Sequence, residues 1–202
     1  VIRGVQAMGY DGSGIKMLMN QFVTIKGNRM SKRSGNFVTL DELLEDVGPD
    51  VVRFFMLMRA AGSHLDFDLD LAREQSEKNP VYYVQYAHAR ICRVIEKAQS
   101  EGFLGDSGDV DLLRHPAEHL LIRRLLELSD TIDRAVRELE PHHLTAYARD
   151  LAGSFHGFYR DCRVVDVDNK ALSLARLKLV RAARFGLART LELLGVDAPK
   201  AM

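Results

Sequence analysis

Cysteine is scarce in this chain and long apolar runs are missing. Cys92 and Cys162 are its two cysteines, each alone in helix-like sequence, which excludes a disulfide framework or a cysteine-based zinc site and reads as reduced thiols. No stretch approaches the roughly 20 apolar residues a membrane helix needs, and residues 1–10 lack the charged-then-apolar layout of a signal peptide. No membrane association and no targeting segment are therefore expected. Net charge is absent as well, 28 basic residues offsetting 28 acidic, so any nucleic-acid binding must rest on charge gathered on one face. One window shows such a bias: no acidic residue lies between Asp168 and Glu192, while Lys170, Arg176, Lys178, Arg181, Arg184 and Arg189 do.

What is present is enough apolar residue, 47% of 202, for one or two domains with real cores. The start at Val1, within what reads as a helix tail, gives the expectation of a piece of a longer protein. A β-type run around 21–25 is followed by a Lys-Gly-Asn turn, and helical patterns follow. Thr39 with Glu42 forms a capping box for a helix ending at Gly48, and Pro49 opens the next, through about residue 60. Residues 62–70 read as a connector and 71–76 as a short helix. Prolines 80, 116 and 141 then mark the starts of helices over 80–100, 116–139 and 141–163, and a last helix spans 170–194, closed by Gly195.

Two segments carry chemistry. Arg29-Met30-Ser31-Lys32-Arg33-Ser34-Gly35-Asn36 places three cations, two hydroxyls and a glycine between a short hairpin and a helix, which suits a polyphosphate; the alternative is a solvated basic turn. In the helix after Pro80, projection at about 100° per residue puts Val81, Val84, His88, Ile91, Cys92 and Ile95 on a core face. Opposite fall Tyr82, Tyr83, Tyr86, Arg90, Arg93 and Lys97, rings interleaved with cations, as a platform for unstacked RNA bases requires. The competing reading is that these rings pack against neighbouring helices, Tyr82 first among them. Tyr159 and Arg163 repeat the mixture in a later helix, where Phe155 and Phe158 read as core. The last helix is apolar along Leu172, Leu179, Ala183, Leu187, Leu191 and Leu194. Its basic side suits RNA phosphate better than a membrane surface.

The run Met30 to Asn36 resembles the Lys-Met-Ser-Lys-Ser loop of class I aminoacyl-tRNA synthetases. That resemblance implies ATP as a substrate, with Mg2+ on its phosphates and no tightly bound cofactor. Arg29, Met30, Ser31, Lys32 and Arg33 would contact the ATP, and Lys32 would be the catalytic cation on the departing pyrophosphate. Arg29 stands where lysine is commoner, which keeps the charge and alters its geometry. Ser63-His64-Leu65-Asp66-Phe67-Asp68, then Asn79-Pro80-Val81-Tyr82-Tyr83-Val84-Gln85-Tyr86-Ala87-His88-Ala89-Arg90, and the ending Ala198-Pro199-Lys200-Ala201-Met202 resemble the arginyl-tRNA synthetase family.

The resemblance implies a mainly α chain: a helical-bundle anticodon-binding domain over 67–202, preceded over 1–66 by the end of a Rossmann-type α/β catalytic domain. It implies tRNA(Arg) contacts at Tyr83, Tyr86, Arg90, Tyr159, Arg163 and Met202, L-arginine as the other substrate, a cytoplasmic monomer and no metal site. No His-x-Gly-His tetrapeptide occurs, so the chain alone is expected to be inactive. The alternatives are the C-terminal part of a cysteinyl-tRNA synthetase, a stand-alone helical tRNA-binding module, and a helical scaffold for protein partners.

Overall fold

Each long helix begins where the sequence supplies a side-chain acceptor, a proline or both. The computed structural model describes residues 1–25, 28–29 (backbone only), 39–105 and 107–202. A short helix α1 (Ile2–Ala7) precedes two strands, β1 (Val23–Ile25) and β2 (Asn28–Arg29). Next come α2 (Leu40–Val47), α3 (Pro49–Leu57), β3 (Leu65–Phe67) and α4 (Leu69–Arg73). The rest is α5 (Pro80–Ser100), a 3-10 turn at Val110–Leu112, α6 (Pro116–Glu138), α7 (His142–Asp161) and α8 (Lys170–Leu194). Among the described residues no helix is long and apolar enough to cross a membrane.

The caps follow from the sequence. Thr39 and Glu42 exchange the two bonds of a capping box, at 2.7 and 3.1 Å, which offsets two of the orphan donors of α2. Asn79 is buried and fully used: its carbonyl oxygen accepts from the Val81 N–H at 3.0 Å, and its amide donates to the Ala72 and Glu74 carbonyls at 3.1 and 2.9 Å. It therefore starts α5 and ties that start to the end of α4. Gly195 closes α8 in the left-handed conformation, φ 66°, where a Cβ would be disfavoured.

The connector expected over 62–70 contains a strand. β3 pairs in parallel with β1, Thr24 opposite Asp66, while β2 pairs antiparallel on the other edge, Thr24 opposite Arg29. The alternation Leu65, Asp66, Phe67 decides this: Phe67 turns inward against Phe55, ring centroids 5.3 Å apart, while Asp66 accepts from the Thr24 hydroxyl at 2.6 Å. Asp68 then caps α4 at once, so the short helix starts two residues earlier than its apolar pattern suggests.

Helices α5 to α8 form a bundle around fully buried Val84, Ile91, Leu121, Leu151, Phe155, Phe158, Leu177, Leu187 and Leu191. The core continues without a break into Leu43, Val52, Phe54 and Phe55 of α2 and α3. At their border the Asp50 carboxylate accepts from the Gln85 amide at 2.8 Å and from the Asp197 N–H at 3.2 Å, joining α3, α5 and the C-terminal tail. Glu118 and Arg176 form a buried ion pair of 2.6 Å between α6 and α8.

Gly105 and Gly108, in the loop after α5, lie on α8 at close range. The Lys178 ammonium reaches the Gly108 carbonyl at 3.4 Å, and Arg181 donates to the Gly105 carbonyl. A Cβ on Gly108 would lie 2.3 Å from the Leu174 carbonyl oxygen, a backbone atom that can retreat only by lifting the loop. Gly108→Ala is expected to cost about 1–3 kcal/mol by overpacking, read as a lower urea midpoint. A midpoint unchanged from the parent chain would show that the loop does not lie this close.

Candidate nucleic-acid interface

The exposed side of α5 arises from two interleaved spacings. Val81, Val84, His88, Ile91, Cys92 and Ile95 are buried as their periodicity predicts, which turns Tyr82, Tyr83, Tyr86 and Arg90 outward, each half-buried. His88 is a core histidine: its Nδ1 donates to the Pro199 carbonyl at 2.9 Å, the only direction available because a carbonyl cannot donate.

Against this side lies α7. Together they bound an open groove of about 630 Å3 lined by Glu77, Tyr82, Tyr83, Tyr86, Arg90, His156 and Arg160, within the ~300–1,000 Å3 range of ligand pockets. Tyr82 and Tyr86 stack nearly parallel, centroids 6.1 Å apart and planes 8° apart, as residues one helical turn apart can. Arg90 donates to the Tyr86 hydroxyl at 2.7 Å and to His156 Nδ1 at 3.3 Å. Its guanidinium carbon lies 4.6 Å from the Tyr86 centroid and 5.5 Å from that of Tyr159, both within cation–π range. Burial, and secondarily the Arg90 charge, push the His156 pKa down to about 4. Burial, aided by Glu77, raises the Tyr83 phenol.

Tyr83, Tyr86 and Arg90 therefore meet in one place, and Tyr159, 41% exposed, borders it through Arg90. Arg163 and Met202 lie elsewhere. Arg163 turns back on its own loop, donating to the Val165 carbonyl at 3.1 Å and pairing with Asp166 at 3.6 Å. It lines a separate hollow shared with Tyr159. Met202 lines a third hollow, which includes Tyr82 and Gln85, and its carbonyl accepts from Arg93 at 2.7 Å. The groove and the Met202 hollow share Tyr82, whereas the Arg163 hollow shares no lining residue with the groove.

Tyr82, expected to be the most structural of the tyrosines, is the wall between two of these hollows. His156 and Arg160 were not singled out from the sequence, although both sit in the aromatic-basic run with Tyr159. The signal was their spacing: 156 and 160 are one turn apart and flank the buried Phe155–Phe158 face. Of the ATP-loop residues, Met30, Ser31, Lys32 and Arg33 lie outside the described residues, and Arg29 is described only as a strand position opposite Thr24.

The basic side of α8 is partly engaged within the fold. Arg176 is in the buried ion pair, Lys178 and Arg181 reach loop carbonyls, and Arg189 pairs with Glu192 at 2.8 Å. Among the described residues one group gathers metal-type ligands, Glu140, His142 and His143, with donor atoms within 4.8 Å of one another. The His143 ring already meets the Glu138 and Glu140 carboxylates, at 2.9 and 3.3 Å.

The bundle thus presents three tyrosine rings and a guanidinium on α5, behind a small sheet and two short helices. Residues 84–202 match the DALR anticodon binding domain family and residues 6–77 match the tRNA synthetases class I (C) catalytic domain family. The first match covers more than half of the sequence, and the chain belongs to the DALR anticodon-binding domain family.

Its resemblance is to arginyl-tRNA synthetases in particular. An arginine–tRNA ligase of Dehalococcoides mccartyi is 48% identical over 98% of this chain, which corresponds to 36% of the relative's length. The chain thus spans about a third of the curated relatives it matches. Among solved structures, an arginyl-tRNA synthetase from Campylobacter jejuni superposes over the whole chain and 44% of its own length, with TM-score 0.82 and 27% identity. The Thermus thermophilus arginyl-tRNA synthetase covers 91% of this chain and 35% of its own length, with TM-score 0.75 and 29% identity. These matches support the arginyl reading and not the cysteinyl one.

Proposed function

We propose that this chain is the anticodon-binding part of an arginine–tRNA ligase, and that the whole protein joins L-arginine to tRNA(Arg) while ATP is cleaved to AMP and pyrophosphate. The groove on α5 takes unstacked bases of the anticodon loop, with Tyr83, Tyr86 and Arg90 as first contacts. Tyr159, Arg163 and Met202 serve the flanking hollows. Arg29, Met30, Ser31, Lys32 and Arg33 serve ATP and its Mg2+, Lys32 countering the charge that grows on pyrophosphate. The catalytic remnant occupies 1–66 and the helical domain 67–202. The protein works as a cytoplasmic monomer without a resident metal.

The observation that carries this reading is the placement of Arg90. It is a cation held over an aromatic ring in an open groove that two further tyrosine rings line. Stacking contributes about 1–3 kcal/mol per base. Tyr86→Ala and Arg90→Ala are therefore each expected to weaken binding of a tRNA(Arg) anticodon stem-loop by about tenfold to a hundredfold, read by fluorescence anisotropy. Phe185→Ala, an exposed ring on α8 outside the groove, is the control and should leave binding unchanged. If both groove variants bind like the parent chain, the groove is not the RNA site.

A further inference from the structure

His156 stands in the middle of α7 and reaches the groove between rings: Tyr83 at 5.0 Å, Phe155 at 5.7 Å and Tyr86 at 6.2 Å between centroids. Its Nδ1 faces Arg90 Nη1 at 3.3 Å. A guanidinium can only donate, so Nδ1 must accept, which makes the ring neutral with its proton on Nε2. Arg90 is thereby held at two points, by His156 and by the Tyr86 hydroxyl. Long side chains lose about 2 kcal/mol of rotamer freedom when fixed by a ligand, and two protein anchors remove much of that cost beforehand.

The kind of anchor matters. A carboxylate at position 156 would hold the guanidinium more strongly and cancel its charge. Among the described residues the partners of Arg90 are a phenol, a neutral imidazole and two ring faces, and no carboxylate is among them. The cation is fixed but not neutralised. Arg160, the other cation in the groove, contrasts with it, because Asp161 holds it by two bonds of 2.8 and 3.1 Å.

We propose that His156 is a positioning residue, a neutral acceptor that fixes Arg90 over Tyr86 while leaving its charge for an unpaired RNA nucleotide stacked in the groove. The proposal rests on the RNA-binding reading above. Two of the guanidinium's N–H groups are engaged by protein. The others remain to donate to a base edge or phosphate of that nucleotide.

The test is anisotropy of a tRNA(Arg) anticodon stem-loop with His156→Gln and His156→Phe, each also in an Arg90→Gln background. Glutamine retains a neutral acceptor and phenylalanine retains only bulk, so His156→Gln should bind within about threefold of the parent. His156→Phe should lose about tenfold, the scale of one hydrogen bond to a charged group. In the Arg90→Gln background the same change to phenylalanine should cost less than about twofold, because the group it acts through is gone. Equal binding by the glutamine and phenylalanine variants overturns the positioning role, as does a phenylalanine loss that persists without Arg90. If the parent chain does not bind the stem-loop at all, the RNA site itself is wrong and this role falls with it. Thermal melts of each variant separate loss of fold from loss of binding.

Discussion

Arg176→Met is expected to lower the unfolding free energy by about 3–5 kcal/mol, the range found when one member of a buried ion pair is removed. The reason lies with the partner. Glu118 is 1% exposed and Arg176 15%, so deleting the cation strands a carboxylate that water cannot reach. Glu118 also accepts from the His115 N–H at 2.8 Å as part of the α6 capping box, so it cannot swing out without undoing that helix start. Arg176 further donates to the Arg163 carbonyl at 2.8 Å and thereby joins the end of α7 to α6 and α8. Urea unfolding should show a lower midpoint with an unchanged slope. Adding Glu118→Gln should restore most of the loss, since a neutral amide still accepts from His115 and no charge is buried. A single-variant loss below about 1 kcal/mol would mean that water reaches the pair in solution.

Acid should destabilise the chain well above the carboxylate range, by on the order of 1 kcal/mol between pH 6.5 and 4.5 from His156 alone. Burial first, and then Arg90, lower the folded pKa of His156 from 6.5 to about 4. The sign follows from proton counts: between those values the unfolded chain binds a proton that the folded one refuses, so stability is full above about 6.5 and is lost as pH falls towards 4. The ring is only half-buried, and water screens roughly half of the effect that the full shift would have. His88 acts in the same direction, its pKa lowered mainly by burial and partly restored by its bond to Pro199. Replacing His156 with glutamine, which does not titrate, should flatten the stability profile from pH 7 to 4.5. An identical slope in the variant would assign the acid sensitivity to other groups.

Local rules carried the helices and, through them, most of the groove. Prolines 80 and 116 and the Thr39–Glu42 pair act within a few residues of themselves, so the helices start where those signals stand. The face of α5 was readable because one helix's burial obeys one period, and that period alone turned Tyr83, Tyr86 and Arg90 outward. β3 was missed because a three-residue strand is stabilised by a partner 42 positions away, the Asp66–Thr24 bond, which no local window contains. His156 was missed for a related reason. On α7 it looks like a neighbour of core Phe155, and its part emerges only when α5 brings Arg90 to it. Similarly, counting cations on α8 could not reveal that Lys178 and Arg181 turn to loop carbonyls.

The Asp50 carboxylate binds α5 and the tail at a single oxygen, Oδ2, and α3, which carries it, follows α2 with only Gly48 between them. Thr39 caps α2 with its hydroxyl and so fixes where that pair of helices begins. The helix pair α2–α3 that opens on Thr39 is thus moored to the aromatic bundle through one carboxylate oxygen.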